Sequence, residues 1–303
     1  MSIKVNAISK YFGSQKALDN VSFEIAEGEV VGFLGPNGAG KSTMMKIATG
    51  YVHADSGSVE IYGNMMNPEN IELRRLIGYL PEHNPLYTEM YIREYLMMVG
   101  MQYKLDKTRL SRKIEEIIDI TGITSESHKK IGSLSKGYRQ RVGIAQAIIG
   151  EPRVIILDEP TTGLDPNQIV YILNLIRELG KSHTVILSTH IMQEVEAICD
   201  RVIIIDHGAI KADGRVEDIA SRFNSGQRIK VQYTNPVPSN IFNKADFIDR
   251  VTEQGDNIYI IESSFSEDIR PLLFKNAVDN NLIMVNLSKI TDDMESLFHK
   301  LTV

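Results

Sequence analysis

The stretch GPNGAGKST at 35–43 directly follows the uninterrupted apolar run VVGFLG at 30–35 and opens the helical stretch STMMKIATG. Gly35 to Ser42 fit the pattern G-x-x-x-x-G-K-[ST], and a position between a buried strand and a helix is the context that gives this pattern meaning. Gly38 and Gly40 let the backbone curl so that its N–H groups face an anion, and the helix start adds partial positive charge. Gly35, Pro36, Asn37, Gly38, Ala39 and Gly40 are thus expected to cradle phosphate. Lys41 is expected to reach the β- and γ-phosphates of a nucleotide, Ser42 to ligate Mg²⁺ and Thr43 to donate to the α-phosphate.

The surrounding pattern is α/β. Ile3-Val5-Ala7 and Val21-Phe23-Ile25 alternate apolar with polar, which predicts an antiparallel edge ahead of the buried strand. VIILD at 154–158, TVILS at 184–188 and RVIII at 201–205 are short, β-branched and separated by helical stretches, the spacing of a parallel sheet with crossover helices. Between about 83 and 150 the period turns helical: Ile92, Tyr95, Leu96 and Val99 share one face, as do Leu110, Ile114, Ile117 and Ile118. After residue 224, NSGQ and NPVPSN mark a boundary. From 225 to 303 the chain predicts a small α+β domain, with strands at Ile229-Val231-Tyr233, 258–262 and 283–287 and helices near 267–280 and 292–301. In the last helix Met294, Leu297, Phe298 and Leu301 form an apolar face that either packs within its own domain or extends a dimer contact.

Charge and composition narrow the partners. A net charge of −6 disfavours nucleic acid, whose backbone is bound by clustered Lys and Arg. The single cysteine, Cys199, sits in the apolar run EAICDRVIII and reads as a buried structural residue rather than a nucleophile. No apolar run reaches the roughly 18–20 residues of a membrane helix, and the N-terminus lacks a signal peptide's apolar region. The expected location is the cytoplasm, with any membrane role exerted by docking on a separate membrane chain.

VIILDEP at 154–160 ends a buried strand in two adjacent carboxylates, where ions are costly unless a cation or a reacting proton engages them. Asp158 is expected to hold Mg²⁺ through water, and Glu159 to polarise the attacking water as general base. Together with YLPE at 79–82, LSKGYRQR at 134–141 and STH at 188–190, these motifs resemble the ATP-binding cassette (ABC) ATPase family over roughly residues 1–225. The resemblance implies a P-loop NTPase of the ABC type, with an antiparallel β subdomain and a helical insert, that binds ATP and Mg²⁺. It implies that His190 contacts the γ-phosphate, that Asp165 in TTGLDP belongs to the loop coupling two nucleotide sites, and that Tyr11 stacks on adenine. By its sequence alone Tyr11 is equally a buried strand-end tyrosine. Ser135, Lys136 and Gly137 would reach the γ-phosphate held by a second copy, so that a homodimer clamps two ATP molecules head to tail.

Three residues depart from the family pattern. Lys136 and Tyr138 replace a Gly and a Gln of the signature; Lys136 either adds charge at the site or points to solvent. Glu82 stands where the family has a Gln near Mg²⁺, and an ionised carboxylate can ligate the metal but cannot donate a hydrogen bond. The triplet Asn243, Lys244 and Asp246 spells N-K-x-D, a guanine-reading pattern, but follows NPVPSNIF in the C-terminal unit and reads as coincidence. YLPEHNPLYTEMYIREYL at 79–96 and LSKGYRQRVGIAQAIIG at 134–150 are similar to the ATPases of ABC-2-type transporters, particularly the gliding-motility-associated group. That likeness implies a separate ABC-2-type permease, export, and attachment at the inner face of the membrane, with residues 82–104 docking on the permease. A soluble ABC protein acting on ribosome or DNA is the alternative; its usual second cassette or long coiled coil is missing here.

Overall fold

The computed structural model describes residues 1–67, 69–103, 106–223, 227–242, 245–265 and 267–290, with the isolated positions 298 and 302. Two compact units are present, one built on Met1–Val216 and one on Glu217–Lys300.

Alternating residues at the start of the chain form β1 (Ile3–Phe12) and β2 (Gln15–Ile25), which pair antiparallel. The inward positions are Ile3, Val5 and then Ile8, not Ala7. A register shift between Val5 and Ile8 and a positive φ of 51° at Ala7 advance the alternation by one residue, as a bulge does. The apolar run at 30–34 is β3 (Val30–Leu34), followed by α1 (Lys41–Ala48). Next come β4 (Ser56–Ile61) and β5 (Asn64–Met65), which complete an antiparallel sheet of order β2-β1-β4-β5.

The central sheet has the order β10-β9-β3-β8-β7-β6. Its strands beyond β3 are β6 (Ile77–Leu80), which follows the short α2 (Ile71–Arg74), then β7 (Val154–Asp158), β8 (Thr184–Thr189), β9 (Arg201–Asp206) and β10 (Ala209–Arg215). Pairing is parallel from β9 to β6, and β10 returns antiparallel on β9. Every residue of β3, β7 and β8 is buried, which explains the apolar runs at 30–34, 154–157 and 185–187. Alternate residues feed two cores. Val154, Ile156 and Ile186 join α1 and the antiparallel sheet; Ile155, Leu157, Val185 and Leu187 join the helical layer.

That layer contains α3 (Ile92–Met101), α4 (Lys107–Ile120) and α5 (Lys136–Ile148), and α6 (Pro166–Gly180) and α7 (Met192–Ile198) are the crossover helices of the first unit. Asp106 caps α4, and Leu110, Ile114, Ile117 and Ile118 are all buried. On α3, Ile92, Tyr95 and Leu96 are buried but Val99 is only partly so; Gly100 continues the inner face. A Cβ at Gly100 would lie 2.3 Å from Leu110 Cδ1, so its missing side chain lets the two helices meet.

The second unit begins with α8 (Val216–Phe223). Strands β11 (Gln227–Tyr233), β12 (Arg250–Glu253), β13 (Ile258–Ser263) and β14 (Met284–Ile290) form an antiparallel sheet of order β12-β13-β11-β14. With α9 (Ser239–Phe242) and α10 (Arg270–Asp279) it encloses its own core of Ile229, Val231, Tyr233, Tyr259, Ile261 and Leu273. Met294, Leu297 and Leu301, and Asn243 and Lys244 of the N-K-x-D triplet, lie outside the described residues; Phe298 is buried and Asp246 exposed. No helix among the described residues is long and apolar enough to cross a membrane.

Candidate active site

Gly38 and Gly40 turn the loop after β3 through left-handed backbone, with φ of 82° and 105°. A Cβ at Gly35 would lie 2.4 Å from Ile205 O and one at Gly40 2.6 Å from Ala17 O, so backbone approaches backbone at both. Lys41 opens α1 and is 5% exposed. Its Nζ donates to Gly35 O at 2.7 Å and Pro36 O at 3.1 Å and lies 3.3 Å from Glu159 Oε1. The cation thus folds back over the cradle and meets the end of β7.

Asp158 is fully buried there. Its Oδ1 accepts from Ser42 Oγ at 3.1 Å and Ser188 Oγ at 2.8 Å, while Oδ2 has no hydrogen-bond partner among the described residues. Burial pushes the carboxyl above its usual range, against the two hydroxyl bonds and with help from the nearby Glu82 and Glu159 charges. An orphaned buried carboxylate oxygen beside a serine hydroxyl is a hard-oxygen site suited to a small divalent cation. Glu159, at φ 50°, is held off the strand: its N–H donates to Ser188 O, and its Oε2 takes a bond from Thr162 Oγ1 at 3.0 Å. His190 Nδ1 stands 2.8 Å from the same oxygen, which as a carboxylate only accepts. Nδ1 therefore donates to it, which fixes the ring's orientation. Lys41, Ser42, Asp158, Glu159 and His190 converge at the ends of three adjacent strands.

The remaining positions lie around this centre. Glu82 follows β6 with its side chain 41% exposed, close enough to raise Asp158. Tyr11, next to last in β1, is 46% exposed and so is not a buried strand-end residue; its N–H donates to Asp55 Oδ2, and Lys16 Nζ lies 5.7 Å from its ring centre. Ser135 caps α5 and accepts from Tyr138 N–H at 3.4 Å. Lys136 does not simply extend into solvent: a Cβ on Gly163 would lie 2.2 Å from its Nζ, so its ammonium covers the TTG segment. Asp165 caps α6 through Gln168 N–H, with Pro166 at the first helical position. Burial pushes the Cys199 thiol well up, aided by Asp200 and Glu194, and leaves it unreactive.

One buried carboxylate has no motif to announce it. Glu194, on α7 and 2% exposed, accepts from Thr161 Oγ1 at 2.5 Å and Thr189 Oγ1 at 2.6 Å. Those threonines stand two residues after Glu159 and directly before His190. The available signal was its helical spacing from Ile191 and Ile198, which puts an acid on an apolar face.

Residues 18–162 match the ABC transporter family. The linearmycin resistance ATP-binding protein of Bacillus subtilis is 31% identical over 99% of this chain and 98% of its own length. The chain belongs to the ABC transporter ATP-binding family. Another relative, the bacitracin transport ATP-binding protein of Bacillus licheniformis, is also 31% identical, over 99% of this chain and 96% of its own. A solved dimeric ATP-binding cassette in a post-hydrolysis state with ADP and Pi superposes with a TM-score of 0.64 at 26% identity, covering 71% of this chain and 98% of that one. The α/β cassette described above is the ABC fold, and this ABC subunit is an ATPase whose hydrolysis is coupled to transport.

Proposed function

We propose that this ABC subunit powers a separate ABC-2-type permease, working as an exporter through an ATP-driven homodimer at the inner face of the membrane. The observation that carries the ATPase at the heart of this reading is the meeting of Lys41, Asp158, Glu159 and His190 behind the phosphate loop. Lys41 holds the β- and γ-phosphates, giving up its contact with Glu159 as they arrive. Ser42 and Asp158 would hold Mg²⁺, which when bound neutralises charge on the phosphate oxygens; Glu82 is the further oxygen nearby. Glu159 takes the proton of the attacking water, and His190, oriented through Nδ1, presents Nε2 toward the γ-phosphate. Gly35 to Gly40 and Thr43 line the phosphates, and Tyr11 offers an exposed ring to adenine.

For the dimer, the support is the exposure of Ser135 and Lys136 at the start of α5 and the dimeric state of the solved cassette named above. Ser135, Lys136 and Gly137 face the second copy's γ-phosphate, and Asp165 links the two sites. For the permease, a groove of about 910 Å³ runs beside α3, lined by Tyr51, Tyr79, Tyr87, Tyr95, Met98 and Tyr103. Lys46, Arg74, Arg75 and Gln146 also line it, and a groove of tyrosines and cations suits an amphipathic helix from a membrane partner. The export direction and ABC-2 grouping draw on the stretches at 79–96 and 134–150 and on likeness to resistance and transport ATPases beyond the cassette itself. Residues 225–303 serve as the accessory domain.

Glu159→Gln removes the base while keeping the shape. Turnover of ATP is expected to fall by about 10²-fold or more, with ATP still bound and the closed dimer accumulating. Undiminished hydrolysis in a phosphate-release assay would remove Glu159 from the mechanism.

A further inference from the structure

Arg141 is buried to 6% exposure and touches none of the groups given chemical roles above. It projects from α5 six residues after Ser135. Its guanidinium carbon lies 3.5 Å from the ring centre of Tyr171 on α6 and 4.9 Å from that of Tyr138, one turn earlier on α5. Nη1 donates to Gly122 O at 3.2 Å and Nη2 to Gln168 Oε1 at 2.7 Å. Nε has no hydrogen-bond partner among the described residues. A buried cation is costly unless compensated, and here the compensation comes from two aromatic rings and two outer nitrogens.

The same Gln168 binds on two further sides. Its backbone N–H donates to Asp165 Oδ1 at 3.1 Å. Its side chain covers Gly137 so closely that a Cβ there would lie 2.5 Å from Oε1 and 2.8 Å from Cδ. One amide therefore touches the signature glycine, the guanidinium and, through its own backbone, the carboxylate that starts α6. Tyr138, which replaces the family's glutamine, supplies the second ring against the cation.

We propose that Arg141 is a positioning residue that joins Ser135–Gly137 to Asp165 as one rigid body, so that both reach the second copy's nucleotide in fixed register. The inference rests on the head-to-tail dimer proposed above. The clasp's partners are Gly122, Tyr138, Tyr171, Gln168, Gly137 and Asp165, none of them in the phosphate loop, so it acts on dimer closure and leaves nucleotide binding by the single protomer alone.

The test uses the Glu159→Gln protein as parent, with ATP-driven dimerisation followed by sedimentation velocity and ATP affinity of the dilute protomer by fluorescence titration. Arg141→Met is expected to weaken the dimer by about tenfold or more, with protomer affinity for ATP within about twofold of the parent. Arg141→Lys keeps the charge without the planar fork and falls between; Tyr138→Phe keeps the ring and behaves as the parent. If Arg141→Met fails to fold, Gln168→Leu cuts the guanidinium–amide bond and is expected to weaken the dimer in the same selective way. Unchanged dimerisation in the folded variants, or loss of protomer ATP binding in parallel with the dimer, would overturn the inference as a packing effect. Absence of an ATP-driven dimer in the parent itself would overturn the dimer reading, and this inference with it.

Discussion

Glu194 is bonded on both sides of the Glu159–His190 contact. With its two oxygens on Thr161 and Thr189, it ties the segment after Glu159 to the strand end before His190. Glu194→Ala leaves both hydroxyls without their acceptor, a loss of about 1–3 kcal/mol in stability by urea titration. Misalignment of base and histidine is expected to lower kcat about tenfold or more with the KM for ATP little changed. In the Glu159→Gln background the same change should lower turnover hardly further, because its effect runs through Glu159 and His190. A rise in KM with kcat intact would contradict this. Residues tied to a local pattern were legible in the sequence: the phosphate loop and the paired acids of β7 announce themselves by type and spacing, and the structure brings them together. Glu194 and Arg141 work through partners up to 33 residues away in the chain, and no local pattern records such a bond.

Among elements, β6 and α5 approach closely backbone to backbone at Gly78. A Cβ on Gly78 would lie 2.1 Å from Ala147 O and 2.9 Å from Pro152 Cγ, and a backbone carbonyl cannot step aside as a side-chain tip can. Gly78→Ala is therefore expected to cost about 1–3 kcal/mol, read as a lower urea midpoint at unchanged slope. A midpoint equal to the parent's would show that α5 shifts freely on the sheet. Strands β7, β8 and β9 were readable because burial on both faces demands continuous apolar sequence. β6 has four residues, one of them glycine, and β10 is a polar hairpin partner of β9; neither carries a pattern of its own. The alternation at Ala7 failed because a bulge is set by pairing with β2, not by local propensity.

At the scale of the molecule, each compact unit carries its own core. In the second, the alternation of Ile229, Val231 and Tyr233 was readable, while β12, with no fully buried residue, was not. The central claim is the membrane partner. The direct measurement is affinity purification of tagged Glu159→Gln protein from detergent-solubilised native membranes with ATP, followed by identification of the co-purifying chains. A polytopic membrane protein recovered in stoichiometric amount is the predicted result. Recovery of ribosomal or DNA-associated proteins with no membrane chain would contradict the permease reading and leave only the ATPase chemistry standing.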